Sequence, residues 1–138
     1  MSVNTLSKEA TEAVKYFEAK LTFEFGPIGL SHAIKNGEKL QIIDLRTPEL
    51  YEQGHVPGAI NLSYETLEKS LEKLNAETTT VVYCYDGVCH LSAKAALLLA
   101  QKGYKVRELI GGWAEWASHE LKVEGKASSC SSHKSSCG

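Results

Sequence analysis

Cys84 and Cys89 lie within the stretch Val81-Val82-Tyr83-Cys84-Tyr85-Asp86-Gly87-Val88-Cys89-His90, and the reactive chemistry of this chain starts there. A cysteine attacks as its thiolate, so its surroundings decide whether it is a nucleophile or a packing residue. Cys84 ends a β-branched, aromatic run that reads as a short buried strand. After it comes a loop containing Gly87, then an apolar, alanine-rich helix over residues 90–102. The first amides of a helix lack intrahelical partners and carry partial positive charge. A thiol placed against them is expected to ionise readily, so Cys84 is read as a nucleophile. His90, in the first helical turn, is read first as a polar residue at a helix start and second as a cation or acid near the sulfur.

Asp44 and Arg46 close a second strand on the same sheet edge. They are expected to sit behind the site, where a pair that bonds loop backbone is at least as good a reading as one that contacts substrate. Cys130, His133 and Cys137 have soft-ligand character, but the tail offers no fourth ligand and fits no zinc spacing, so no metal and no cofactor are expected.

Strands alternating with helices must position these groups. Ser7 can cap a helix over residues 7–20 whose Ala10, Val14, Phe17 and Leu21 share one face, expected to be buried. Residues 21–25 alternate weakly as a strand, and Gly26-Pro27 breaks the chain before a short helix ending at Asn36-Gly37. A strand over 40–45 is followed by Thr47-Pro48, a cap and a proline suited to a first helical turn, and Gly54 ends that helix. Ser63 caps a further helix with a Leu67, Leu71, Leu74 stripe. Gly103 ends the helix after Cys84, residues 106–110 form the last strand, and Gly111-Gly112 opens a short helix bearing Trp113 and Trp116. Such alternation implies βαβ units: an α/β fold with a small, mostly parallel sheet and helices on both faces. The expected organisation is an N-terminal helical extension (1–20), one domain (21–121) and a flexible Ser/Cys-rich tail (122–138).

The 138 residues carry a net charge of −2 with 43% hydrophobic content, which gives no footprint for nucleic acid or membrane surfaces. No apolar run approaches a membrane span, and the amino terminus has no basic segment leading into an apolar core, so a cytoplasmic chain is expected. Four cysteines would suit a disulfide framework in a small secreted protein; here, reactive thiols are the better reading.

Four motifs stand in order: Ile43-Asp44-Leu45-Arg46, then Tyr51-Glu52-Gln53-Gly54-His55-Val56-Pro57-Gly58-Ala59-Ile60-Asn61-Leu62, then Cys84-Tyr85-Asp86-Gly87, then Gly111-Gly112-Trp113. With these, the chain from about Leu21 to Ala117 resembles the rhodanese-like family of single-domain sulfurtransferases. The resemblance implies that Cys84 takes sulfane sulfur from a donor, holds it as a persulfide and passes it to a thiophilic acceptor, small or carried on a protein. It makes Tyr85, Asp86, Gly87, Val88, Cys89 and His90 the binding loop, whose amides would curl around the anionic sulfur. Gly87 is expected to supply the backbone freedom that such a tight loop needs. Cys89 then has two readings: a small residue beginning the helix, or a resolving thiol that attacks the persulfide or forms a disulfide with Cys84.

Many members hold thiosulfate with a basic residue late in this loop, whereas here the loop carries Asp86 and no Lys or Arg. Asp86 is expected to oppose thiolate formation at Cys84 and to repel an anionic donor. A persulfide or polysulfide donor is therefore expected over thiosulfate. A non-catalytic interaction or redox-sensing module on the same fold is the alternative. A phosphatase or arsenate reductase would need an arginine six residues after the cysteine, where His90 stands.

Overall fold

The computed structural model describes residues 6–126. Its centre is β4 (Thr79–Tyr83), whose alternating side chains feed two cores. Val81 and Tyr83 face one cluster with Leu30, Ile42, Val56, Leu109 and Trp116; Val82 and the following Cys84 face another with Ile43, Leu45, Leu67, Ala95 and Leu99. A strand buried on both faces reads as a continuous apolar run, which is why residues 81–83 show no polar alternation.

Among the described residues the sheet has five strands, all paired in parallel, in the order β1-β5-β4-β2-β3. These are β1 (Glu24–Phe25), β2 (Leu40–Asp44), β3 (Ile60–Asn61), β4 and β5 (Val106–Leu109). Helix α2 (Pro27–Lys35) and helix α6 (Gly112–Ser118) supply Leu30 and Trp116 to one face. Helix α4 (Tyr64–Leu67) and helix α5 (Leu91–Gln101) supply Leu67, Ala95 and Leu99 to the other. Helix α3 (Pro48–Gln53) begins as expected, with the Thr47 hydroxyl accepting from the Leu50 amide and proline in the first turn.

Three expectations are corrected. Helix α1 (Lys8–Phe23), capped by Ser7, runs through residues 21–23 and leaves only two residues to β1. Extending a formed helix is easier than starting a new element, and the Gly26-Pro27 break comes only after Phe25. The face bearing Val14, Phe17 and Leu21 is exposed, Leu21 by 78%, and α1 buries no residue at all. Finally, the helix after Ser63 changes character: α4 is a single α-turn and a 3-10 helix continues over Glu68–Lys73.

Candidate active site

The carboxyl ends of β2 and β4 meet through side chains chosen by register. Asp44 pairs with Tyr83 across the two strands, and the Tyr83 hydroxyl donates to Asp44 Oδ2 at 2.6 Å. Arg46 closes on the same carboxylate, with Nη2 at 2.8 Å and Nε at 3.1 Å from its two oxygens, and donates to the Gly54 carbonyl at 2.6 Å. Asp44 is fully buried and Arg46 nearly so. Burial, then the neighbouring Asp44 charge, pushes the Tyr83 phenol far above its ordinary value. The guanidinium also stacks on the Trp113 ring, 4.5 Å from its centroid. Asp44 and Arg46 thus tie β2, β4, the turn at Gly54 and α6 into one frame. Arg46 additionally lines a cleft of about 260 Å³ with Leu50, Gln53, Tyr85 and Trp113.

Helix α6 grips the loop from the other side. Its Trp113 and Ala114 amides donate to the carbonyls of Cys84 and Tyr85 at 2.9 and 2.8 Å. This close approach depends on Gly112, at φ 59°, where an added Cβ would lie 2.6 Å from the Cys84 carbonyl oxygen. Gly87, in contrast, does not adopt a left-handed backbone; its Cβ position lies in ordinary contact, 3.7 Å from Gly111 Cα. The conformational freedom expected of Gly87 belongs instead to Gly111 and Gly112.

Cys84 itself is only 2% exposed. Its Sγ lies 3.4 Å from the Cys89 carbonyl oxygen, 3.6 Å from Ser92 Oγ and 3.9 Å from the Asp86 carbonyl oxygen. A single S–H proton serves one of these acceptors at a time. Burial and the neighbouring Cys89 push the Cys84 thiol up, while the nearby Ser92 side chain and backbone pull it down. The net direction is upward, opposite to what the helix start alone implies.

Asp86 engages the loop's own backbone. Its Oδ1 accepts from the Val88 and Cys89 amides at 3.2 and 3.1 Å, so two of the loop amides expected to curl around the sulfur are turned to a carboxylate. Asp86 therefore acts on the loop's shape, and the shift at Cys84 comes from burial and Cys89. Of the remaining loop residues, Tyr85, Val88 and His90 are exposed, and Cys89 is half-buried. His90 stands at the N-cap of α5 with no side-chain capping bond.

Two residues missed by sequence reasoning complete the site. Ser92 is buried on α5, and its hydroxyl donates to Glu108 Oε2 on β5 at 2.5 Å. Cys84, Ser92 and Glu108 thus form a chain from the sulfur into a polar recess of about 150 Å³, which Asp86 and Cys89 also line. The available signal was a serine in the first turn of a largely apolar helix. Among the described residues, no group of three or more His, Cys, Asp or Glu side chains is placed to hold a metal ion, and no helix is long and apolar enough to cross a membrane. Cys130, His133 and Cys137 lie outside the described residues.

Known proteins share this arrangement of chain. The chain is 38% identical over 79 residues to the thiosulfate sulfurtransferase GlpE of Coxiella burnetii, a match covering 56% of this chain and 72% of that one. The crystal structure of the BH2092 protein from Bacillus halodurans superposes with a TM-score of 0.79 at 34% identity, covering 86% of this chain and 89% of the other. The solution structure of a rhodanese-like domain from Anabaena gives 0.66 at 27% identity, covering 74% and 78%. The sequence profile of the rhodanese-like domain matches residues 30–119, which include Asp44, Arg46, the whole Cys84 loop, Ser92, Glu108 and Gly112. The chain belongs to the rhodanese-like domain family.

Proposed function

We propose that the protein is a sulfurtransferase that carries sulfane sulfur as a persulfide on Cys84 and passes it to a thiophilic acceptor. The supporting observation is the chain of contacts from Cys84 Sγ through Ser92 Oγ to Glu108. It offers the thiol proton a route: Sγ–H to Ser92 Oγ, and the serine proton to the Glu108 carboxylate. The thiolate then attacks the outer sulfur of a persulfide donor, forming the Cys84 S–S bond and expelling the donor as a thiol. The Ser92 hydroxyl, 3.6 Å from Sγ, is the group that would steady the resulting anion.

The donor is read as a persulfide or polysulfide in preference to thiosulfate. A thiosulfate dianion needs positive partners at the loop, and residues 84–90 contain no Lys or Arg. The amides of Val88 and Cys89, which would otherwise receive it, already serve Asp86. Steady-state rates with thiosulfate and with glutathione persulfide test this; a clear preference for thiosulfate, the substrate in the name of the Coxiella relative, overturns it.

The seclusion of Cys84 favours a second reading, a non-catalytic redox-sensing module. Cyanolysis separates the two. Sulfane sulfur recovered from the wild type but not from Cys84→Ser supports the enzyme; none from either supports the module.

A further inference from the structure

Cys84 is not the only thiol at its own site. Cys89 packs against the core cluster that contains Cys84, and its carbonyl oxygen lies 3.4 Å from Cys84 Sγ. Asp86 holds the Cys89 amide at 3.1 Å, which fixes the end of the loop over the sulfur. Cys89 also lines the polar recess beside Ser92 and Glu108, so a small product formed between the two cysteines has a polar space to enter. Any outside thiol must reach a sulfur that is 2% exposed, whereas Cys89 is already in place.

We propose that Cys89 resolves the persulfide on Cys84, releasing hydrosulfide and leaving a Cys84–Cys89 disulfide. The inference rests on the persulfide reading above and gives it a second outcome besides transfer to an acceptor. The Cys89 sulfur attacks Cys84 Sγ, the bond from Sγ to the outer sulfur breaks, and the outer sulfur departs with the electron pair and the Cys89 proton as HS⁻. Cys89 is oxidised from thiol to disulfide, the outer sulfur is reduced to sulfide, and no external oxidant enters. A dithiol reductant returns the loop to two thiols.

Leaving-group strength selects this direction over handing the sulfur to Cys89. Attack on the outer sulfur would expel the Cys84 thiolate, whose parent acid is weakened by burial and by Cys89. Attack on Sγ expels hydrosulfide, the anion of a stronger acid, and the better leaving group departs faster.

The test uses the full chain in a background where Cys130 and Cys137 are serine, reacted with one equivalent of glutathione persulfide. Intact mass, peptide mapping and released sulfide are followed together. The expected wild-type product is 2 Da below the reduced mass, with a Cys84–Cys89 disulfide and about one equivalent of sulfide. Cys89→Ser is expected to stop at a 32 Da gain on Cys84 with no sulfide released. A wild type that holds the 32 Da gain as long as Cys89→Ser does overturns the inference and leaves the persulfide reading standing. A Cys89→Ser protein that never gains 32 Da overturns the persulfide reading and the inference with it.

Discussion

The Asp86 carboxylate and the Cys89 amide meet at 3.1 Å across the loop that holds the reactive sulfur. An acidic side chain thereby occupies part of the ground on which an anionic donor would stand. Asp86→Asn keeps an oxygen to accept the Val88 and Cys89 amides while removing the charge. Its kcat/KM for thiosulfate is expected to rise about tenfold, the equivalent of ~1.4 kcal/mol at the barrier. Asp86→Ala, which also frees the amides, is expected to gain more. Glutathione persulfide should respond less than thiosulfate to either change. Steady-state kinetics on the three proteins decide this, and an unchanged thiosulfate rate counts against it.

The raised Cys84 pKa fixes the sign of a pH dependence. Below the pKa of a thiol its thiolate fraction grows about tenfold per pH unit, and raising the pKa moves that climb to higher pH. Alkylation of Cys84 by iodoacetamide is therefore expected to rise steeply from neutral pH and to level off only above the range of an ordinary cysteine. Ser92→Ala removes a neighbour that favours the thiolate, so its plateau should move to higher pH than that of the wild type. A wild-type plateau near neutrality would contradict the burial of this thiol.

Gly112→Ala places a methyl group 2.6 Å from the Cys84 carbonyl oxygen and asks alanine to adopt a φ of 59°. The loop or α6 must then give way. The variant should lose roughly 2–3 kcal/mol of stability, as steric and left-handed strain together demand. Its sulfur loading should fall further than its folded fraction, because the displaced carbonyl belongs to Cys84. Urea unfolding beside persulfide mass analysis measures both.

Breaking the Asp44–Arg46 pair should be costly. Arg46→Ala leaves a buried carboxylate with only the Tyr83 hydroxyl and the backbone amide of residue 46, and removal of one partner of a buried pair typically costs about 3–5 kcal/mol. Arg46→Lys is expected to recover only part of this. A lysine cannot span both Asp44 oxygens and the Gly54 carbonyl while keeping its charge over the Trp113 ring. Urea midpoints at unchanged slope report the difference.

What the residues disclosed before any coordinates divides along a physical line. Strands such as 81–83 and caps such as Ser7, Thr47 and Ser63 were legible because local sterics and hydrogen bonding dictate them. The parallel α/β architecture followed from the alternation of elements. The stripe on α1 shows the limit: periodicity locates Val14, Phe17 and Leu21 on one face, but whether anything covers that face depends on elements far away. Asp86 shows another. Its charge beside Cys84 was plain, whereas its bonds to two amides depend on how the loop folds back. Ser92 and Glu108 were invisible as a pair because they lie 16 positions apart on a helix and a strand.

The opening strand finds its neighbour in the last one: Glu24 aligns with Glu108 and Phe25 with Leu109. A ribosome must therefore deliver β5 before that border of the sheet exists, and α6 before the Cys84 and Tyr85 carbonyls are held. Until then the nascent polypeptide carries its thiols in an unfinished enclosure, and the order of synthesis itself postpones the moment at which the cysteine becomes sheltered.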